Sequence, residues 1–258
     1  MSVLQKKKSI MTHIVLGYPD FDANRELIRA MADAGVAFIE MQIPFSDPIA
    51  DGPTILNANQ HSLNNRTNVK DCFDFAAEMA MSYKNINFLF MTYYNIIFNF
   101  GVEAFVSKTK EANLYGLIVP DIPFEEDREK FFPECKKLDL NPVYVFSPTT
   151  SIERLKKIRK IASGFSYCTS RIGITGAGKN PHKKLEQYVL KAKKILDMPI
   201  AVGFGIDGAE KAKMIAQFAD IVIIGSKVLN IVDQAIKSGK DFRKNVYEFL
   251  SGVREAIN

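Results

Sequence analysis

The chain has 258 residues, 47% of them hydrophobic and 24% charged, with a formal net charge of +5. That length suits one α/β barrel or two small domains, and the composition supports burial of about 70% of the unfolded surface without disulfides or a structural metal. The lysines are scattered over helical faces, densest at Lys6 to Lys8 and Lys183 to Lys194, a pattern that favours solvated faces over a nucleic-acid stripe. Cys72, Cys135 and Cys168 are odd in number and far apart. They read as small buried hydrophobes in a reducing compartment, not as a disulfide framework or a zinc site. No apolar run reaches the ~20 residues of a membrane span, and the N-terminus lacks the apolar core of a signal peptide. The expected location is the cytoplasm.

Short apolar runs rich in β-branched and aromatic residues alternate with longer stretches of helical periodicity, the pattern of a parallel βαβ series. Eight strands are expected, near Met11–Leu16, Ala37–Ile43, Asn87–Tyr93, Gly116–Val119, Pro142–Phe146, Gly164–Cys168, Pro199–Val202 and Asp220–Ile224. Between them, Asp20 or Asp22 heads a helix over Asn24–Ala34, Ser151 caps Ile152–Ile161, and Asp207 opens Gly208–Phe218. After Asn68, the spacing of Phe73, Ala76, Ala77 and Ala80 marks a core-facing helical stripe. Eight is the closure number of the common barrel, and no linker or repeat interrupts the series, so residues 1–258 are expected to form a single (β/α)8 TIM-barrel domain. A doubly wound open sheet is the alternative, disfavoured by the missing G-x-G-x-x-G after the first strand.

In a barrel, the chemistry collects at the C-terminal ends of the strands. The second strand carries Glu40 inside an apolar run, where a carboxylate is costly unless it has a partner or a task. If Ile39 and Met41 face the helices, strand alternation turns Glu40 and Gln42 into the barrel mouth. Glu40 has two readings at this point, a functional carboxylate and a buried one satisfied by neighbours. Asp51 lies on the loop leaving the same strand and has two as well, a functional one and a helix cap before Pro53. Glycine turns follow the last two strands, at Gly203-Phe204-Gly205 and Gly225-Ser226. Adjacent turns of this kind supply backbone N–H groups for a phosphate, and the Ser226 hydroxyl adds a donor. The loop from Ser170 to Lys179 carries three glycines and reads as a lid or as a surface loop.

With these residues in place, the chain resembles the tryptophan synthase α family over its whole length. The stretch from Glu40 to Asn57 is close to the family's P-F-S-D-P-x-A-D-G-P signature, written here Pro44-Phe45-Ser46-Asp47-Pro48-Ile49-Ala50-Asp51-Gly52-Pro53. Supporting matches are Leu16-Gly17-Tyr18-Pro19, Tyr93-Tyr94-Asn95, Pro120-Asp121-Ile122-Pro123, Ser170-Arg171, Gly173-Ile174-Thr175-Gly176, Gly203-Phe204-Gly205-Ile206 and Gly225-Ser226.

The resemblance implies a carbon–carbon lyase of tryptophan biosynthesis that cleaves indole-3-glycerol phosphate to indole and glyceraldehyde 3-phosphate. It implies Glu40 as acid–base residue and Asp51 as holder of the indole N–H. It further implies Tyr93, Tyr167, Thr175, Gly176, Phe204, Gly205, Gly225 and Ser226 as substrate contacts. No cofactor is expected in this chain. Pyridoxal phosphate is expected in a partner β subunit that receives the indole, within an α2β2 heterotetramer, with Asp47 and Pro48 at the contact.

Two departures stand out. Gln42 replaces the family's usual glycine and adds a polar side chain on Glu40's own face, in position to bond Glu40 or narrow the pocket. His13 replaces a common phenylalanine and reads as a pocket or core histidine, not a catalytic one; His61 and His182 read as solvated. Competing functions are a barrel acting on another sugar phosphate, a non-catalytic partner of a β subunit, and a lyase that releases free indole on its own.

Overall fold

The computed structural model describes residues 8–169, 181–203 and 205–258. Among them nine strands form one parallel sheet: Ser9–Val15 (β1), Phe38–Gln42 (β2), Asn87–Met91 (β3), Gly116–Ile118 (β4), Asn141–Val143 (β5), Val145–Phe146 (β6), Ser166–Thr169 (β7), Ile200–Gly203 (β8) and Ile221–Ile224 (β9). The helices are Phe21–Asp33 (α1), Pro53–Asn64 (α2), Val69–Ser82 (α3), Tyr94–Phe100 (α4), Val102–Glu111 (α5), Phe131–Lys137 (α6), Ile152–Ile158 (α7), Pro181–Leu196 (α8), Ala209–Ala216 (α9), Ser226–Lys237 (α10) and Phe242–Ile257 (α11).

The sheet order is β5-β4-β3-β2-β1-β9-β8-β7-β6. Its two outer strands are consecutive in the chain, separated only by Tyr144, whose carbonyl accepts the Tyr167 N–H at 3.0 Å. β5 and β6 are therefore two parts of one barrel strand, bonded to β4 on one side and to β7 on the other. The expected eight strands close into a barrel, and each expected run overlaps an observed strand.

Burial follows from that closure, since a barrel strand is covered on both faces. Ile39 and Met41 pack outward into the large core shared with the helices, whereas Phe38 turns inward to join Met11, Leu89, Phe165, Ala201 and Ile221 inside the barrel. The helices bury one stripe each: α10 turns in Val228, Leu229, Val232 and Ala235, and α11 turns in Val246, Leu250, Val253 and Ile257. The three cysteines are buried and free. α11 is fastened to the start of the chain by Arg254, whose guanidinium donates to the Gly35 carbonyl at 2.6 Å. Gly35 has φ +74°, so the backbone favours glycine there, while a Cβ would only displace the flexible tip of Arg254.

The helix starts follow local chemistry. Asp20 caps α1 by accepting the Ala23 N–H, Ser151 caps α7 by accepting the Arg154 N–H, and Asn68 forms a reciprocal capping box with Asp71 at α3. Two expected caps differ. α9 is headed by Gly208 without a side-chain bond, one residue beyond Asp207, whose carboxylate lies 3.7 Å from Lys211. α2 is headed by Gly52 with Pro53 in its first turn, so Asp51 is not spent on a cap.

Candidate active site

At the C-terminal ends of the strands lies a cavity of about 650 Å³, a size that suits a small organic ligand. Its wall includes His13 from β1, Glu40 from β2, Asp51 from the loop after β2, Tyr167 from β7, and Gly205, Gly225 and Ser226 after β8 and β9. Residues as far apart in sequence as His13 and Ser226 thus meet because the strands and their exits bring them to one end of the barrel.

Glu40 is 4% exposed. Strand alternation turns it inward as expected, and parallel pairing of β1 with β2 sets it opposite His13. The His13 Nδ1 lies 3.4 Å from Glu40 Oε2. Burial alone would depress the histidine; the Glu40 charge, helped by Asp51 and Gln42, outweighs it and raises His13 above its ordinary 6.5. The buried Glu40 carboxyl in an apolar strand therefore has a titratable polar partner within the site, the condition under which burial is tolerable. His13 is a pocket residue, as its position in sequence suggests.

Asp51 is held from two directions. Its Oδ2 accepts the Gln42 Nε2–H at 2.7 Å and the Tyr93 hydroxyl at 3.1 Å. Tyr93 in turn accepts the Ala50 N–H at 3.0 Å and stacks on Phe45, with ring centroids 5.1 Å apart. Burial first, then the nearby Asp51 charge, pushes the Tyr93 hydroxyl upward, so it stays a donor at neutral pH. Tyr93 is 1% exposed and stands behind Asp51, not among the residues of the cavity wall. Of the two readings of Gln42, a bond to Glu40 or a narrowed pocket, the first is replaced: its amide donates to Asp51, because the loop carries that carboxylate back over the strand end.

Tyr167 lines the cavity, and burial, followed by the charges of Glu40 and Asp51, raises its hydroxyl well above the usual value. It faces the carboxylates as a neutral donor.

At the other end of the cavity the main chain dominates. Gly225 precedes α10, whose first turn begins at Ser226 and offers backbone N–H groups without intrahelical partners. Gly205 has φ +54° and nothing within 4 Å of where a Cβ would stand, so it is the backbone conformation that asks for glycine there. Lys227 and Asn230 complete this end, neither singled out by the sequence reading. The arrangement has two features of an anion site: glycine turns and a helix start.

Thr175, Gly176 and Phe204 lie outside the described residues, as does the glycine-rich loop from Ser170 to Lys179. Asp47 is exposed and Pro48 buried on the loop that also carries Asp51. The sequence reading missed Asn59, which is 1% exposed on α2 and accepts the Phe45 N–H at 2.9 Å, anchoring the loop from beneath. The available signal was a polar residue on the buried side of that helix, beside Ala58 and Ser62. His61 is exposed and edges onto Tyr18, and His182 is exposed.

Comparison with known proteins agrees with this geometry. A family model described as tryptophan synthase alpha chain matches residues 2–258. The tryptophan synthase alpha chain of Desulfotalea psychrophila is 46% identical over 237 residues, covering 90% of this chain and 92% of that protein. That of Petrotoga mobilis is 35% identical and covers 98% and 97%. Among solved structures, tryptophan synthase subunit alpha from Legionella pneumophila superposes with a TM-score of 0.89 at 30% identity, covering 98% of this chain and 93% of that one. Tryptophan synthase from M. tuberculosis in its aminoacrylate-bound form gives 0.84 at 26% identity, covering 98% and 94%. The chain is thus a member of the tryptophan synthase alpha chain family, a lyase-type enzyme family built on a TIM barrel.

Proposed function

We propose that this cavity cleaves indole-3-glycerol phosphate to indole and glyceraldehyde 3-phosphate, with Glu40 and Asp51 performing the chemistry. The observation that carries the reading is the convergence of both carboxylates on one cavity whose far end is an anion cradle at Gly205, Gly225 and Ser226. The phosphate lies in the cradle, and the indole ring lies between the two carboxylates.

The reaction is a retro-aldol cleavage. Glu40 in its acid form gives a proton to the ring carbon that bears the glycerol chain, and the ring becomes an indolenine cation. Asp51 accepts the hydrogen bond of the ring N–H and stabilises that positive charge. As the carbon–carbon bond breaks, its electron pair returns to the ring. The adjacent glycerol hydroxyl gives its proton to the Glu40 carboxylate and becomes the aldehyde. Glu40 ends in the acid form in which it began, so one residue serves twice. Asp51 must remain a carboxylate throughout, and its two neutral donors, Gln42 and Tyr93, suit that duty. Tyr167, Thr175, Gly176 and Phe204 complete the ring and lid contacts in this reading.

No cofactor takes part in these steps. The indole passes to a β subunit that holds pyridoxal phosphate, in an α2β2 assembly. Asp47 and Pro48 fall on the contact loop, which presents Ile49, 82% exposed, next to Asp47; α4 presents Phe98, 55% exposed. Apolar side chains of this size in solvent suit a partner surface. No described helix is long and apolar enough to cross a membrane.

The test is indole release from indole-3-glycerol phosphate by the purified chain, with and without an added β subunit. Slow release that accelerates on addition is the expected result. Rapid release unaffected by the partner would indicate a stand-alone lyase, and no release under either condition would leave a non-catalytic partner.

A further inference from the structure

We propose that Gln42 is a positioning residue for Asp51, holding the loop carboxylate where it meets the ring N–H of the substrate. The proposal rests on the role given to Asp51 above. Gln42 is the last residue of β2, is 0% exposed, and is bracketed by its partners Val15 on β1 and Met91 on β3. Asp51 belongs instead to a loop outside the sheet. The 2.7 Å bond from Gln42 Nε2 to Asp51 Oδ2 therefore joins the barrel wall to that loop.

Three details fit this duty. The group facing the carboxylate must be the amide nitrogen, since the amide oxygen would confront a like partial charge. Gln42 and Tyr93 both donate to Oδ2, and among the described residues no donor reaches Oδ1, which is left for a ligand. The same Gln42 nitrogen lies 3.5 Å from Asn59 Oδ1, the oxygen that also takes the Phe45 N–H. Strand, loop and α2 are thereby drawn together at one point. Glutamine also anchors Asp51 without neutralising it. A lysine or arginine at 42 would hold the carboxylate and cancel the charge that the indolenine cation requires. A glycine at this position offers no side-chain donor.

The experiment measures binding of an indolylpropyl phosphate, which lacks the glycerol hydroxyls, and of its N-methyl derivative, which has no ring N–H. Both ligands are titrated against the wild-type chain, Gln42→Met, Gln42→Ala and Asp51→Asn. The wild type should prefer the N–H ligand, and both Gln42 variants should lose about tenfold of that preference. Their affinity for the N-methyl ligand should be unchanged, which also reports a folded pocket. Equal weakening of both ligands in the Gln42 variants would mean a packing role and overturn the proposal. An intact preference in those variants, with the preference lost in Asp51→Asn, would overturn the role of Gln42 alone. An intact preference in Asp51→Asn would remove the assigned role of Asp51, and the proposal with it.

Discussion

The two ends of the cavity are built on opposite principles. At the carboxylate end, individual side chains from β1, β2 and the loops after β2 and β3 are locked to one another, His13 to Glu40 and Gln42 with Tyr93 to Asp51. At the anion end the working groups are main-chain N–H donors at glycine turns and at the start of α10. A charged group that must trade or keep a proton needs a specific neighbour to set it. A phosphate needs only donors at the right distance, and the backbone supplies those whatever the side chains are. Single side-chain changes should therefore be severe at one end and mild at the other.

Glu40→Gln is the strongest challenge to that contrast. It should lower turnover by about 10²–10⁴-fold, the range for loss of a general acid–base residue, with the fold retained. Near-normal indole release by the variant would remove Glu40 from the chemistry. Asp51→Asn keeps the shape and discards the charge, and should cost about a hundredfold in kcat. A loss confined to KM would mean that Asp51 binds the ground state as tightly as the transition state.

The anion end should respond more gently. Ser226→Ala should raise KM a few-fold and leave kcat close to wild type, since a remote phosphate contact is largely uniform binding. An unchanged KM would assign the anion site to the backbone alone, and an equal loss in kcat would erase the difference between the two ends.

His13→Phe gives the smallest effect and tests the carboxylate end through pH. His13 is raised in the folded chain, against the pull of burial, by Glu40. Its pairing therefore contributes stability in full below the ordinary value of 6.5, and that contribution is lost as pH rises through the higher folded value. The melting temperature of the wild type relative to His13→Phe should fall with rising pH. A difference that stays flat with pH would show that the ion pair does not form.

Much of the fold was legible because closure requires eight parallel strands, and those strands are apolar runs between turns. Even the broken strand around Tyr144 registers as one expected run, Pro142–Phe146. Glu40 was legible as a costly carboxylate in an apolar strand, and its inward face followed from alternation with Ile39 and Met41. Asp51 could not be separated from a helix cap by local pattern, because only the three-dimensional path of the loop brings it to Gln42 and Tyr93. The Asp51 partner of Gln42 was out of reach for the same reason: strand periodicity gives a direction, and what stands in that direction comes from a loop folded back over the strand. Asn59, Lys227 and Asn230 were invisible because polar residues on amphipathic helices look alike until one knows which turn faces the site.

The pairing of β1 with β9, Ser9 opposite Ile221, makes synthesis of this chain an exercise in waiting. At about 5–20 residues per second, the first strand leaves the ribosome some ten to forty seconds before its second neighbour. During that interval one edge of β1 carries unpaired backbone groups beside apolar side chains, an open template for foreign strands. A premature stop anywhere before β9 makes that interval permanent.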